Sequence, residues 1–571
     1  MRRTLYIGLL MLTAAAMLVA CSSESYPGLT YENPDEVTNG ESPSNDDEQG
    51  TPVRVYVNEQ SFFSISAGAA SRENDDMTRG VGAFQIEDDD DVANSALTAE
   101  DIDRMNQKFK NTHFYLLAFR DKAWTQQGVN PLDRVTLPPD FRYSQLAENK
   151  PSESYGDPQR QDCLVDGYKY EQGLKATLEG GFDDVTGVFN METKPKGNGD
   201  YEKLFYGDHG NVGYNFFAYS MGDLHYETEV DANKDYNKLS NEINWGTPER
   251  TDDHISYKNF VVDGSQDLMA GYAPPLETAL NTRYKDVDLT ESERSTLVNI
   301  GSYCTFAAHR GIDPVINLKH LLTRLQFRAY PGDESSSHTT IDAIFVRTHN
   351  QGEFIVAHRD STKVGFYPDE SVMGDVYLHD KPELIYDTKD PTKAIGIKPS
   401  KVHDTSIYTP EAGNMDELTD DMIWRVEWTE DCWAHDDEGN RIGKKPLNQR
   451  GKPVSMGDNM MVPSRGELDI FIKSTYKLGE PDQRRFTSHY TISAANLVES
   501  EPSREKNYLD EEYFKATGEK RYIFKPGYFY TVSLVVYGLS PIKVIATINA
   551  WQEGDEIPIG EDDFNMEFDD D

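Results

Sequence analysis

Apolar and polar residues alternate with a period of two along much of this chain, and that period marks half-buried strands. Val53, Val55 and Val57 alternate with Arg54, Tyr56 and Asn58, and Phe63 and Ile65 repeat the pattern. One strand, or two short ones, is expected within 53–66. From Gly68 to Asn106 the chain turns mostly polar and includes Arg72, Arg79 and the acidic run Asp88 to Asp91. Regular structure is expected again from Phe109. Phe114 to Phe119 is a nearly continuous apolar run, the mark of a strand buried on both faces or lying under a long loop. Val212 to Tyr219 and Ile255 to Val262 are further strands, with a polar insertion at roughly 225–250 between them. Leu276–Ala279 and Leu289–Ile300 are the best helical candidates. In Val315 to Tyr330 the alternation shifts register near Thr323–Arg324, where a bulge fits, although Leu318 to Leu325 also admits a helix. Thr340–Arg347 and Glu353–Ala357 read as a hairpin pair. Residues 365–500 hold short strands, including Met422–Trp428 and Glu467–Ile472. A strand from Arg521 ends at the Pro526–Gly527 turn. Tyr528–Tyr537 and Ile542–Trp551, joined by a Gly/Pro turn, then make a C-terminal hairpin.

Many short strands with regular turns predict an all-β protein built of sandwiches. A break near residue 312 gives two of them, over 52–312 and 313–571, with long loop insertions.

The N-terminus has its own pattern. Arg2 and Arg3 precede an apolar run from Leu5 to Ala20, and Cys21 follows at once. The basic head and short apolar core make a secretory signal too short for a stable membrane span. With a small residue before Cys21, residues 1–21 resemble a bacterial lipoprotein signal and lipobox, which implies acylation of Cys21. Each buried methylene of such a lipid contributes roughly 0.8 kcal/mol of membrane affinity. Residues 22–51 are Ser, Asn, Pro, Gly and acid-rich, a disordered tether.

Composition narrows the picture. Of the 571 residues, 42 Gly and 28 Pro accompany 32 Tyr and 25 Phe, a mixture of turn formers and strand-favouring aromatics. A formal net charge of −43 argues against nucleic acid or an anionic membrane as a partner, since both require basic patches. Beyond Cys21 the cysteines are Cys163, Cys304 and Cys432. They allow one disulfide with a thiol left over, or three buried small apolar residues.

Candidate chemistry is sparse. Asp231, Asn233, Asp235, Asn237 and Glu242 place oxygens at the positions of a calcium loop, but Tyr236 stands where the sharp turn requires glycine. A solvated acidic loop is the better reading, and no metal or cofactor is assigned. His320 sits at a strand position and reads as a packed or edge histidine. The Cys432–His435 stretch reads as a strand end rather than a thiol–imidazole pair. No GxSxG elbow or phosphate-binding glycine loop is present, so no enzyme is expected. Two rivals have definite requirements. A carbohydrate-binding lipoprotein needs an exposed platform from Trp124, Trp245, Trp424, Trp428 or Trp433, since Trp551 lies on a core strand. A glycoside hydrolase needs two carboxylates about 5–9 Å apart across a cleft.

Several stretches resemble fimbrillin-like proteins of the Bacteroidales, subunits of type V pili. They are Asp263–Ala270 (DGSQDLMA), Leu318–Leu325 (LKHLLTRL), Phe524–Tyr530 (FKPGYFY) and Ile548–Trp551 (INAW). Their order and spacing fit, and with the first strand they span 53–551, while 120–250 and 360–520 match nothing. The resemblance implies two transthyretin-like β-sandwich domains and an outer-membrane lipoprotein precursor at the cell surface. It further implies a cut after an arginine beyond the first strand, here Arg79 or Arg72. Loss of the strand carrying Val53, Val55, Val57, Phe63 and Ile65 would leave a groove that a strand of a neighbouring pilus subunit fills. The chain exceeds a typical shaft subunit in length, which favours a tip or accessory role. At a tip, a host or bacterial surface glycan or protein is a further expected partner.

Overall fold

The alternating stretches form strands, and among the described residues these assemble into four larger sheets and two short ribbons. The computed structural model describes residues 51–57, 99–120, 163–165, 173–178, 187–191, 206, 213–222, 246–250, 254–398, 400–407, 423–445, 453–477, 483–500, 502–538, 543–548 and 565–567.

Sheet one runs in the order Tyr56–Val57, Val315–His320, Met269–Tyr272, Tyr214–Ser220, Phe114–Arg120, Leu174–Leu178, Phe189–Met191. Cys163–Val165 pairs beside Phe114–Arg120. The two ends of this path meet again, because Tyr56 also bridges Val188, so the sheet is nearly closed into a ring. Phe114, Leu116 and Ala118 share the ring's interior core with the first-strand valines. Tyr115 and Leu117 point the other way, against sheet two. The unbroken apolar run therefore has the cause expected for it: both faces of that strand are buried.

Sheet two comprises Gly365–Pro368, Gln351–His358, His254–Val261 and Thr247–Arg250. Here the structure corrects a sequence expectation. Thr339–Thr348 and Gln351–His358 are consecutive strands but not a hairpin. Gln351–His358 pairs antiparallel with His254–Val261, so strands from either side of residue 312 lie in one sheet. Thr339–Thr348 instead takes Glu467–Lys477 as one neighbour, and Gly374–Tyr377 and Trp424–Arg425 as the other. Period two fixes which face a residue occupies; it does not fix the strand's partner.

Sheet three has the order Val454–Pro463, Leu322–Pro331, Phe529–Val536, Lys543–Ile548. Sheet four has Gly374–Tyr377, Thr339–Thr348, Glu467–Lys477, Gln483–Ser493 and Asn565–Glu567. Leu325, Phe327 and Ala329 of sheet three face Ile344, Val346, Ile470 and Ile472 of sheet four across one core. The expected C-terminal hairpin is present, pairing from Tyr530↔Ile548 to Val535↔Lys543. Arg521 to Gly527, expected as a strand, makes only an isolated bridge at Tyr522. Near Thr323–Arg324 the chain breaks at Leu321, and the register shift falls later, between Leu325 and Phe327.

Helices are few. Glu291–Ile300 is fixed at both ends: Thr290 and Glu293 form a capping box, and Gly301 closes the helix at φ 75°. Ala99–Asn111 lies in a stretch expected to be polar loop. Among the described residues no helix is long and apolar enough to cross a membrane.

Candidate functional site

The segment Thr51–Val57 closes the ring with its alternate valines turned into the core. Val53, Val55 and Val57 are 7 %, 0 % and 2 % exposed, as deeply buried as central core residues. Among the described residues, ladder pairing with Val315–His320 covers Tyr56↔Val315 and Val57↔Ile316, and it is parallel. The Tyr56 N–H donates to Pro314 O at 2.9 Å. On the opposite side the Phe189 N–H donates to Val55 O at 3.0 Å, and the Val57 N–H to Gly187 O at 3.3 Å. Upstream, the Tyr206 N–H donates to Thr51 O at 2.9 Å, and Thr51 Oγ1 lies 2.7 Å from His309 Nε2. The segment thus fills a slot between two strand edges. Alternation explains its inward side chains, and backbone bonds hold it on both sides.

A carboxylate sits at the entrance. Asp313, beside the Pro314 acceptor, is 7 % exposed. Burial pushes its pKa up to about 6, with the Arg54 charge opposing the rise. Sequence reading did not single out Asp313, because an acid before a proline reads as a turn. Of the other residues expected to act here, Phe63, Ile65, Arg72, Arg79 and Cys21 lie outside the described residues, as do Asp231, Asn233, Asp235, Asn237 and Glu242.

Three of the stretches that resemble the fimbrillin-like family, Asp263–Ala270, Leu318–Leu325 and Phe524–Tyr530, converge on one place, the junction between the two halves of the chain; of the fourth, only Ile548 lies within the described residues. His320 Nδ1 is 2.8 Å from Asp267 Oδ1, and the Leu321 N–H donates to Leu268 O at 2.9 Å. The Gly527 N–H donates to Leu322 O at 2.8 Å, and the Arg324 N–H to Tyr528 O at 3.0 Å. Thr323 Oγ1 donates to Phe524 O at 2.8 Å. Gly264 has φ +99°, and a Cβ there would stand 2.8 Å from Tyr377 O across the junction, so glycine is required. Burial alone would raise the Asp267 pKa, but the neighbouring His320, Lys108 and Arg324 hold it below the usual carboxylate range. Asp458 is similarly lowered against its burial by Lys108, at 3.3 Å, and by Arg324. His320 is therefore a packed histidine with a carboxylate partner, as its strand position suggested.

The other candidates take structural roles. Cys304 and Cys432 are free, buried thiols. Trp424 stacks on His403, with ring centroids 3.6 Å apart. Trp428 and Trp433 meet edge to face at 5.4 Å. Lys444 lies over the Trp428 ring and Arg441 over the Trp433 ring. These faces already hold cations, so the described tryptophans do not make the bare flat platform that stacking on a sugar requires.

No protein-family model matches the sequence, and no curated protein matches it. Among solved structures, the chain is similar to a cell adhesion protein of Bacteroides uniformis, with 8 % identity, 78 % of this chain and 94 % of that one covered, and a TM-score of 0.27. It is also similar to a cell adhesion protein of Bacteroides fragilis, with 11 % identity, 88 % and 99 % coverage and a TM-score of 0.25. A third is the fimbrial anchor protein of Porphyromonas gingivalis, with 8 % identity, 79 % and 91 % coverage and a TM-score of 0.21. Superpositions this loose carry no weight for function, and the slot and the junction stand on this chain's own residues.

Proposed function

We propose that this chain is a non-enzymatic, adhesive pilus subunit of the cell surface, in a tip or accessory position. On this reading it is exported as a lipoprotein acylated at Cys21. Its two transthyretin-like sandwiches span about 52–312 and 313–571, with the hairpin 351–368 lent by the second to the first. A protease cuts after Arg79 or Arg72, the first strand leaves, and a strand of another subunit takes its place. Surface glycans or proteins are then the partners of the exposed end.

One observation carries the proposal: Val53, Val55 and Val57 are seated in the core on a segment that lies between two strand edges, Val315–His320 on one side and Val188–Phe189 on the other. Removing the segment exposes an apolar trough and two bare strand edges, which an incoming strand satisfies by β-augmentation. The convergence of three of the family-like stretches on the junction adds support, because scattered chance matches have no reason to meet in space.

The test is the mature N-terminus of the surface protein, read by mass spectrometry. A start at Gly80 or Glu73 is the expected result. A chain still beginning at acylated Cys21 in assembled pili would overturn strand exchange through this slot.

A further inference from the structure

On the outward face of sheet two, three potential ligands converge from three adjacent strands. Glu249 comes from Thr247–Arg250, His254 from His254–Val261 and Glu353 from Gln351–His358. The register brings them together. Glu249 is opposite Ser256, and Ser256 is opposite Ile355. Their neighbours Ile255, Tyr257, Phe354 and Val356 point into the core, leaving this set on the outer face. One nitrogen or oxygen from each of the three lies within 4.8 Å of the others. His254 Nε2 is 3.5 Å from Glu353 Oε1 and 4.0 Å from Glu249 Oε2.

These spacings suit an ion. Ligands at about 2.0–2.1 Å in a tetrahedron are about 3.3 Å apart, so a small closure of these side chains suffices. We propose that Glu249, His254 and Glu353 bind a first-row divalent metal ion, zinc foremost. The imidazole argues against calcium and magnesium, which prefer all-oxygen shells.

The surroundings orient the set. Ser256 Oγ donates to Glu353 Oε1 at 2.6 Å. The His358 ring stacks on His254 with centroids 5.6 Å apart and planes 6° apart. The Ser256 hydrogen bond fixes the direction of the Glu353 carboxylate as outer-shell groups do in metal sites, and the His358 ring covers one face of His254. Lys258 Nζ now pairs with Glu249 at 2.6 Å, and its side chain is 48 % exposed. It can swing into water when a cation of higher charge takes its place, and two carboxylates plus a neutral imidazole then balance a 2+ ion.

The consequence is a staple. Glu249 and His254 precede residue 312, and Glu353 follows it, so the ion ties the crossing hairpin to the first half. Binding only the folded chain, it raises stability by mass action.

The test uses tag-free full-length protein stripped with EDTA, titrated with zinc and, in parallel, with calcium and magnesium. One zinc bound per chain with an upward shift of Tm is expected. His254→Ala and Glu353→Gln should abolish both, and Ser256→Ala should weaken binding about 10-fold. Equal zinc uptake and Tm shift in H254A and wild type, or an equal shift with calcium, overturns the proposal. If H254A fails to fold, X-ray absorption on zinc-loaded wild type decides: one nitrogen and two carboxylate oxygens support the site, and two or more imidazoles refute it.

Discussion

Two strands of this molecule are equally buried and differently placed in their sheets. Phe529–Val536 in sheet three is buried at all eight positions. It pairs in parallel with Leu322–Pro331 from Arg324↔Phe529 to Pro331↔Val536, and on its other side with Lys543–Ile548. The first strand seats Val53, Val55 and Val57 just as deeply, but its partners Val315–His320 and Val188–Phe189 are the two ends of the rest of the sheet path. Equal burial therefore goes with unequal placement: one strand lies inside a continuous sheet, and the other closes a ring whose remaining strands stay paired without it.

The sharpest way to break this comparison is to weaken each strand in turn. Leu534→Ala, at a fully buried site, should cost about 3–4 kcal/mol in urea unfolding. Its effect should persist after proteolytic removal of the first strand. Asp313→Asn should strengthen the first strand's slot with a definite pH signature. The Asp313 pKa of about 6 is raised above its unfolded value. Its contribution is therefore fully present below pH 4 and is lost as pH rises through 6. The variant should be slightly less stable than wild type near pH 4 and exceed it by about 2 kcal/mol at pH 8, because the cost of the buried amide offsets part of the full shift at every pH. Val55→Ala should cost about 1.6 kcal/mol, the worth of two methylenes, and should cost nothing once the first strand has been cut away. The smallest effect needs no substitution. In native-state hydrogen exchange the Tyr56 and Val57 amides should open well below the global free energy, and those of Phe529–Val536 only with it. Equal protection would erase the distinction.

The difference between the two strands also marks the limit of what the sequence discloses. Alternation at Val53–Val57 and continuous apolarity at Phe114–Phe119 revealed which side chains are buried, because burial is written residue by residue. The C-terminal hairpin was legible because its partners are joined by a short turn. The partner of Gln351–His358 was not, since His254–Val261 lies about a hundred residues upstream and no local pattern encodes pairing across that distance. The Glu249–His254–Glu353 set was invisible for the same reason. The Asp267–His320 contact was half visible: both residues stood in the stretches singled out for resemblance, but their meeting depends on the fold.

The near-closure of sheet one has a consequence in time as well as in space. An ordinary edge strand has one neighbour, so losing it moves the edge inward by one place. Thr51–Val57 touches Val315–His320 on one side and Val188–Phe189 on the other, so its departure creates two edges at once, facing each other across a gap one strand wide. Encounters between such opened molecules scale with the square of their concentration, whereas filling the gap from a tethered or docked neighbour is first order and governed by effective concentration. An opened ring is thus a species whose lifetime matters. The orderly outcome prevails only where the replacement strand is already within reach when the original leaves.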